Sequence, residues 1–204
     1  MRLAQALLIW AGLTLAIVVP LTLAATSEYL AWRDPVYITA GFAGVVALCV
    51  ALVQPLLAAG WLPGLPLLRG RRVHRVGGIV LVAAVIVHVA GLWITSPPDI
   101  EDALFLRSPT PFSVWGVVGT WALFAAALLA IFQRRLSPPV WRLSHTGLVS
   151  IVVLAGVIHA MLIEGTMETI SKAVLCSLAI MATAAAAAAP WLRARRRALS
   201  KGRS

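Results

Sequence analysis

Residues 71–91 read RRVHRVGGIVLVAAVIVHVAG, an apolar segment with His74 and His88 fourteen residues apart. Residues 142–159, RLSHTGLVSIVVLAGVIH, repeat the layout with His145 and His159, and these four are all the histidines in the chain. At about 100° per residue, fourteen residues return within roughly 40° of the starting direction, so each pair shares one helical face across a rise of about 21 Å. Two histidines on each of two helices predict two ligand-binding levels, one above the other across a membrane.

The composition supports a membrane setting. Of 204 residues, 61% are hydrophobic and 12% charged, and the mean hydropathy is +0.94. Repeated apolar runs near 20 residues indicate spanning helices. The runs fall at about 3–25, 36–57, 73–95, 112–132, 140–163 and 170–189, which predicts an all-α membrane protein built as a six-transmembrane-helix bundle. The first run exceeds the 7–15 residues of a signal-peptide core, so a retained helix is expected. Pro20 is expected to bend it, while Pro55 and the segment GWLPGLPLLRG close the second run and Pro190 closes the sixth. The acidic loop SPPDIEDALFLRSPTP has room for a short surface helix around Glu101 to Leu106. Residues 193–204 form a basic tail.

The formal charge of +10 is distributed by loop. With the N-terminus inside, Arg2, the group Arg69 to Arg75, Arg134, Arg135, Arg142 and the tail hold 14 of the 17 basic residues on the cytoplasmic side. Arg33, Arg107, Lys172 and all 7 acids fall outside. This bias predicts cytoplasmic N- and C-termini in a multi-pass protein of the bacterial inner membrane, and it explains the basic residues without a nucleic-acid partner. Cys49 and Cys176 lie inside apolar runs, where a disulfide framework is not expected. The tryptophans fall mostly near run ends, as an interfacial belt requires.

The third and fifth runs cross in the same direction, so His74 pairs by depth with His145 near the cytoplasm, and His88 with His159 nearer the outer face. Each pair can offer two axial nitrogens to one haem iron, giving two haems per chain. Glycines at 77, 78, 91, 147 and 156 read as clearance for a planar group, although membrane helices also use glycine to pack. Arg71 and Arg142 each precede an inner histidine by three residues and are candidates to pair with haem propionates. Other uses of four intramembrane histidines are a metal site, a proton relay in a transporter or channel subunit, or interhelical hydrogen bonds in an anchoring or assembly protein. Zinc is a poor match, because each depth offers two histidines and no nearby cysteine or carboxylate.

The stretches RRVHR…VIVHVAG and WRLSH…GVIHAML resemble the ferric reductase-like transmembrane domain, the haem-bearing core shared with NADPH oxidases. The resemblance runs from Arg69 to Glu164, with the outer helices matching by topology. It implies an oxidoreductase component, a cytochrome b, in which His74, His88, His145 and His159 bind two haems that relay electrons across the membrane. The chain is also similar to the short bacterial branch, which includes the haem subunit of the periplasmic methionine sulfoxide reductase system. It carries no G-x-G-x-x-G strand–turn–helix unit, so the expected electron donor is a separate cytoplasmic flavoprotein or a membrane quinol, and the expected acceptor is periplasmic.

Overall fold

The computed structural model describes residues 3–201; Arg2 and the last three residues of the basic tail lie outside them. Seven α-helices follow in order: α1 (Leu3–Ala25), α2 (Pro35–Ala59), α3 (Leu67–Thr95), α4 (Pro97–Leu104), α5 (Pro111–Ile131), α6 (Pro138–Leu162) and α7 (Thr169–Lys201). Among the described residues no strand is present. Six helices, all but α4, are long and apolar enough to cross a membrane, the apolar part of α7 being Thr169–Leu192. The chain is therefore a multi-pass, all-helical membrane protein.

Proline and the residue before it set most helix starts. Pro35, Pro97, Pro111 and Pro138 each open a helix, where the missing N–H costs nothing and the fixed φ already suits the first turn. Ahead of α2, the Asp34 carboxylate also accepts from the Val36 N–H at 2.7 Å. At the far end, Gly60 closes α2 at φ 69°, a left-handed cap that glycine takes without a Cβ penalty.

Several boundaries differ from the apolar runs. Pro55 and Pro190 do not end their helices, which continue to Ala59 and Lys201. An intramembrane helix tolerates an internal proline because neighbouring groups re-satisfy the freed carbonyl. The α3 helix begins six residues before its apolar run, at Leu67 after Pro66, so Arg69, Arg71, Arg72 and Arg75 ride on its first turns. The surface helix of the acidic loop starts at Pro97 and stops at Leu104. Lys172 belongs to the first turn of α7 and is buried, with Nζ donating to the Ile163 carbonyl at 2.7 Å.

The bundle is organised as two hairpin-like pairs, α2 packed on α3 and α5 packed on α6, with α7 lying against α2 and α6. Small residues let α3 approach α2. Gly70, Gly77, Ala84 and Gly91 recur every seven residues, and a Cβ at Gly91 would stand 2.8 Å from the Ala40 Cβ. One core cluster joins Val45, Cys49 and Leu52 of α2 to Val153 and Val157 of α6 and Leu175, Cys176 and Ala179 of α7. A second gathers Ala47, Leu81, Ala84 and Leu123, with Val152 packed against it. Leu81 is midway between His74 and His88, and Val152 midway between His145 and His159. The second cluster is therefore an apolar layer between the two histidine levels.

Candidate functional site: two stacked histidine pairs

The site begins with α3 and α6, which stand apart from each other while each packs on its own partner helix. Their histidines face one another across the gap at two depths. The rings of His74 and His145 have centroids 6.3 Å apart and planes at 85°. The rings of His88 and His159 are also 6.3 Å apart, with planes at 83°. All four side chains are half-buried.

Three of the rings are fixed from behind. His74 Nδ1 donates to the Gln54 carbonyl at 3.1 Å, His88 Nδ1 to the Ala40 carbonyl at 2.8 Å and His159 Nδ1 to the Phe112 carbonyl at 2.8 Å. A carbonyl only accepts, so Nδ1 carries the proton and Nε2 keeps its lone pair. This is the arrangement in which a backbone carbonyl sets the tautomer of a metal-ligating imidazole. His145 departs from it. Its Nδ1 is buried without a hydrogen-bond partner, and the ring is held by stacking on Trp141, 4.6 Å away and 19° from parallel.

The His88–His159 level shows a matched nest. Gly44 lies four residues beyond Ala40 on α2, and Gly116 four beyond Phe112 on α5. A Cβ on Gly44 would reach 3.0 Å from His88 Nδ1, and one on Gly116 would reach 2.7 Å from His159 Nδ1. Each partner helix thus supplies a carbonyl to orient the ring and a glycine to admit it. His88 and Ala40 are 48 residues apart, and His159 and Phe112 are 47, so α2–α3 and α5–α6 are near-repeats of one another.

Neither these glycines nor the carbonyl acceptors stood out in the sequence. The signal was present in Gly44 and Gly116, which hold corresponding places in the two partner helices, but it has meaning only once those helices are paired with the histidine helices. The glycines expected to give clearance divide instead. Gly77 and Gly91 face Gln54 and Ala40 of α2, and so serve helix packing. Gly147 and Gly156 have nothing within 4 Å of an added Cβ, and so border open space.

A haem iron fits these pairs. Metal–nitrogen bonds of about 2 Å, plus about 1.1 Å from each nitrogen to its ring centroid, put two axial imidazoles roughly 6 Å apart, centroid to centroid. Among the described residues no group of three or more His, Cys, Asp or Glu comes together. Two nitrogens and no third ligand suit a metal that brings its own equatorial donors. Arg71 and Arg142 are exposed at the ends of α3 and α6 nearest the inner histidines, and among the described residues neither forms an ion pair.

Comparison with known proteins places the chain by its sequence. The family described as ferric reductase like transmembrane component matches residues 40–157, the segment from α2 into α6 that contains three of the four histidines and the glycine nests. No curated protein and no solved structure matches the chain.

Proposed function

The chain belongs to the ferric reductase-like transmembrane family, whose members are membrane redox proteins that generally bind haem, and from this we propose that it carries electrons across the membrane through two bis-histidine b-type haems. The observation that carries the reading is the pair of histidine couples at 6.3 Å, three of their four rings oriented by backbone carbonyls. When bound, each haem supplies a one-electron ferric/ferrous couple. The protein's residues do the rest. His74 and His145 hold the inner level, His88 and His159 the outer one. The layer of Leu81, Leu123 and Val152 keeps water from the space between.

Arg71 and Arg142 are the candidates to pair with inner-haem propionates, a role supported by their exposure and their lack of an ion-pair partner among the described residues. The arginines on the first turns of α3, together with Arg134, Arg135 and Arg142 around the start of α6, favour the cytoplasmic side of a bacterial inner membrane for that end of the bundle, with both chain termini there. In that orientation electrons enter from a cytoplasmic flavoprotein or a membrane quinol at the inner level and leave at the outer level to a periplasmic acceptor.

The direct test is the optical spectrum of the purified protein in detergent. Reduced b-type absorption with about two haems per chain is the expected result. A folded, monodisperse protein that contains no haem after expression with ample haem supply would overturn the reading.

A further inference from the structure

Lys172 is 6% exposed on the first turn of α7, and among the described residues no carboxylate forms an ion pair with it. Its Nζ donates to the Ile163 carbonyl at 2.7 Å, which engages one of the three N–H groups of an ammonium. Glu164 and Glu168, the acids of the same connection, are exposed, and the Glu168 carboxylate is taken up by the Ile170 and Ser171 N–H groups. A buried cation without its anion is costly. The site is completed by an anion that the chain itself does not supply.

The place of Lys172 ties it to the His88–His159 level. Ile163, whose carbonyl it holds, is four residues past His159, about 6 Å along the axis of α6. Cys176, one turn on from Lys172, belongs to the same core cluster as Val157, two residues before His159. On the other side, Thr166 of the connection between α6 and α7 faces Gly41 of α2, whose added Cβ would stand 3.7 Å from Thr166 Oγ1. Gly41 adjoins Ala40, the residue whose carbonyl holds the His88 ring. The connection therefore bridges the supports of both rings, and Lys172 is the buried cation that ties it to α6.

We propose that Lys172 is the counter-charge of the haem at the His88–His159 level, its ammonium pairing with a propionate carboxylate and favouring the reduced state of that centre. This inference rests on the reading of His88 and His159 as haem ligands. With both propionates ionised and both imidazoles neutral, a ferric haem is already an anion, and reduction adds negative charge, so a nearby cation favours the ferrous form. Burial leaves that attraction weakly screened, unlike the attraction of the exposed Arg71 and Arg142 at the other level. The charge thus raises the reduction potential of the His88–His159 centre and draws electrons toward it. A lipid phosphate carries the same kind of charge, but Lys172 is enclosed by the bundle and not open to lipid.

The test is a potentiometric titration of the full haem-loaded chain in phosphatidylcholine nanodiscs, with both centres followed optically. The centre missing from His88→Ala, or from His159→Ala where that variant folds better, identifies the potential to be read. Lys172→Met removes the charge and the donor, Lys172→Gln removes the charge but keeps a donor for the Ile163 carbonyl, and Lys172→Arg keeps both. At a fixed potential, the Met and Gln variants should shift the ferric/ferrous ratio of the His88–His159 centre roughly tenfold toward ferric, the effect of a unit charge about 10 Å away at an effective dielectric of about 20. Lys172→Arg should stay within about twofold of wild type, since the charge is kept, and the His74–His145 centre should not move in any of the three. A role limited to capping α6 would lower thermal stability in Lys172→Met, be rescued by Lys172→Gln and leave both potentials in place, and that result would overturn the proposal. So would an unmoved potential with loss of a co-purifying anionic lipid, which would assign the charge to a headgroup. Two haems with unmoved potentials sink this inference alone, whereas a folded chain without haem sinks the histidine reading with it.

Discussion

Gly116 lies beneath the ring of His159 with no room for a side chain: a Cβ there would stand 2.7 Å from Nδ1 and 2.8 Å from Cε1. Its counterpart Gly44 is slightly less confined beneath His88, at 3.0 Å and 3.1 Å. Overpacking of this kind costs about 1–3 kcal/mol and displaces whichever group is easier to move, here the ring. Gly116→Ala is expected to strip the outer haem, and Gly44→Ala to leave it partly occupied. Haem per chain, measured by the pyridine haemochrome method, should fall to about one for Gly116→Ala and lie between one and two for Gly44→Ala. Full occupancy in Gly116→Ala would show that the ring does not need the nest.

Pairing by depth makes a separate forecast for the ligands. His88→Ala and His159→Ala should each remove the same outer haem, and His74→Ala and His145→Ala the same inner one. Each single variant keeps one haem, and the double variant His88→Ala/His159→Ala keeps as much as either single. If that double variant lost both haems while remaining folded, the levels would not be independent.

The inner level should be the more labile, because His145 lacks the backbone bond that holds the other three rings. Trp141 takes its place, and an aromatic stack of that kind is worth about 0.5–1.5 kcal/mol. Trp141→Leu is thus expected to weaken inner haem retention roughly twofold to tenfold, measured as the rate of haem transfer to apomyoglobin. Trp121→Leu, on an exposed face of α5, is the control and should change nothing.

The near-perpendicular ring planes have a spectroscopic consequence. At 85° and 83°, the two imidazoles of a pair would act on different π-type d orbitals of a bound iron, which would leave those orbitals close in energy. Orbital angular momentum is then poorly quenched. The ferric protein should show strongly anisotropic low-spin electron paramagnetic resonance with one dominant low-field feature. A conventional rhombic triplet from both centres would mean that the rings rotate toward parallel when loaded.

Acid sensitivity should appear at the start of α7. The Glu168 carboxylate accepts from the Ser171 and Ile170 N–H groups, both at 2.7 Å, and these bonds hold its pKa below the ordinary carboxylate value. A depressed pKa contributes stability that is present above the unfolded value and lost as pH falls through the folded one. Thermal melts of the wild type should therefore lose stability as pH drops below the usual carboxylate range. Glu168→Gln should be less stable at neutral pH and should lack most of that acid-dependent loss. An identical pH profile in both proteins would remove Glu168 from the account.

Some of this architecture was legible in the residues, and some required the third dimension. Runs of about 20 apolar residues announce membrane helices because a bilayer sets their length. The two fourteen-residue histidine intervals could be matched because helical periodicity puts each pair on one face. Helix ends were harder. Pro55 and Pro190 look like stops in water but are carried inside α2 and α7, and the arginines around residue 71 read as a loop although they form the first turns of α3. The supporting residues were less legible again. Ala40 and Phe112 act through their carbonyls, and no side-chain pattern reports a carbonyl. Gln54 carried no signal in the sequence, and its burial and missing partners are visible only in the fold. Gly77 and Gly91 were open to clearance or to helix packing in the sequence, and the fold assigns them to packing on α2, since periodicity gives a face but does not name the helix that covers it.

The layer of Leu81, Leu123 and Val152 also determines what cannot accompany the electron. It offers no hydroxyl, carboxylate or imidazole along which a proton could hop. In the proposed function, an electron relayed from the His74 level to the His88 level would therefore move alone, and each transfer would displace uncompensated charge through the membrane dielectric. Moving one elementary charge across the full membrane involves about 2.3 kcal/mol per 100 mV. In the proposed function, turnover would thereby be tied to the voltage of the membrane itself: a potential negative on the His74 side would drive transfer toward the His88 side, and its collapse would slow that transfer even when donor and acceptor are unchanged.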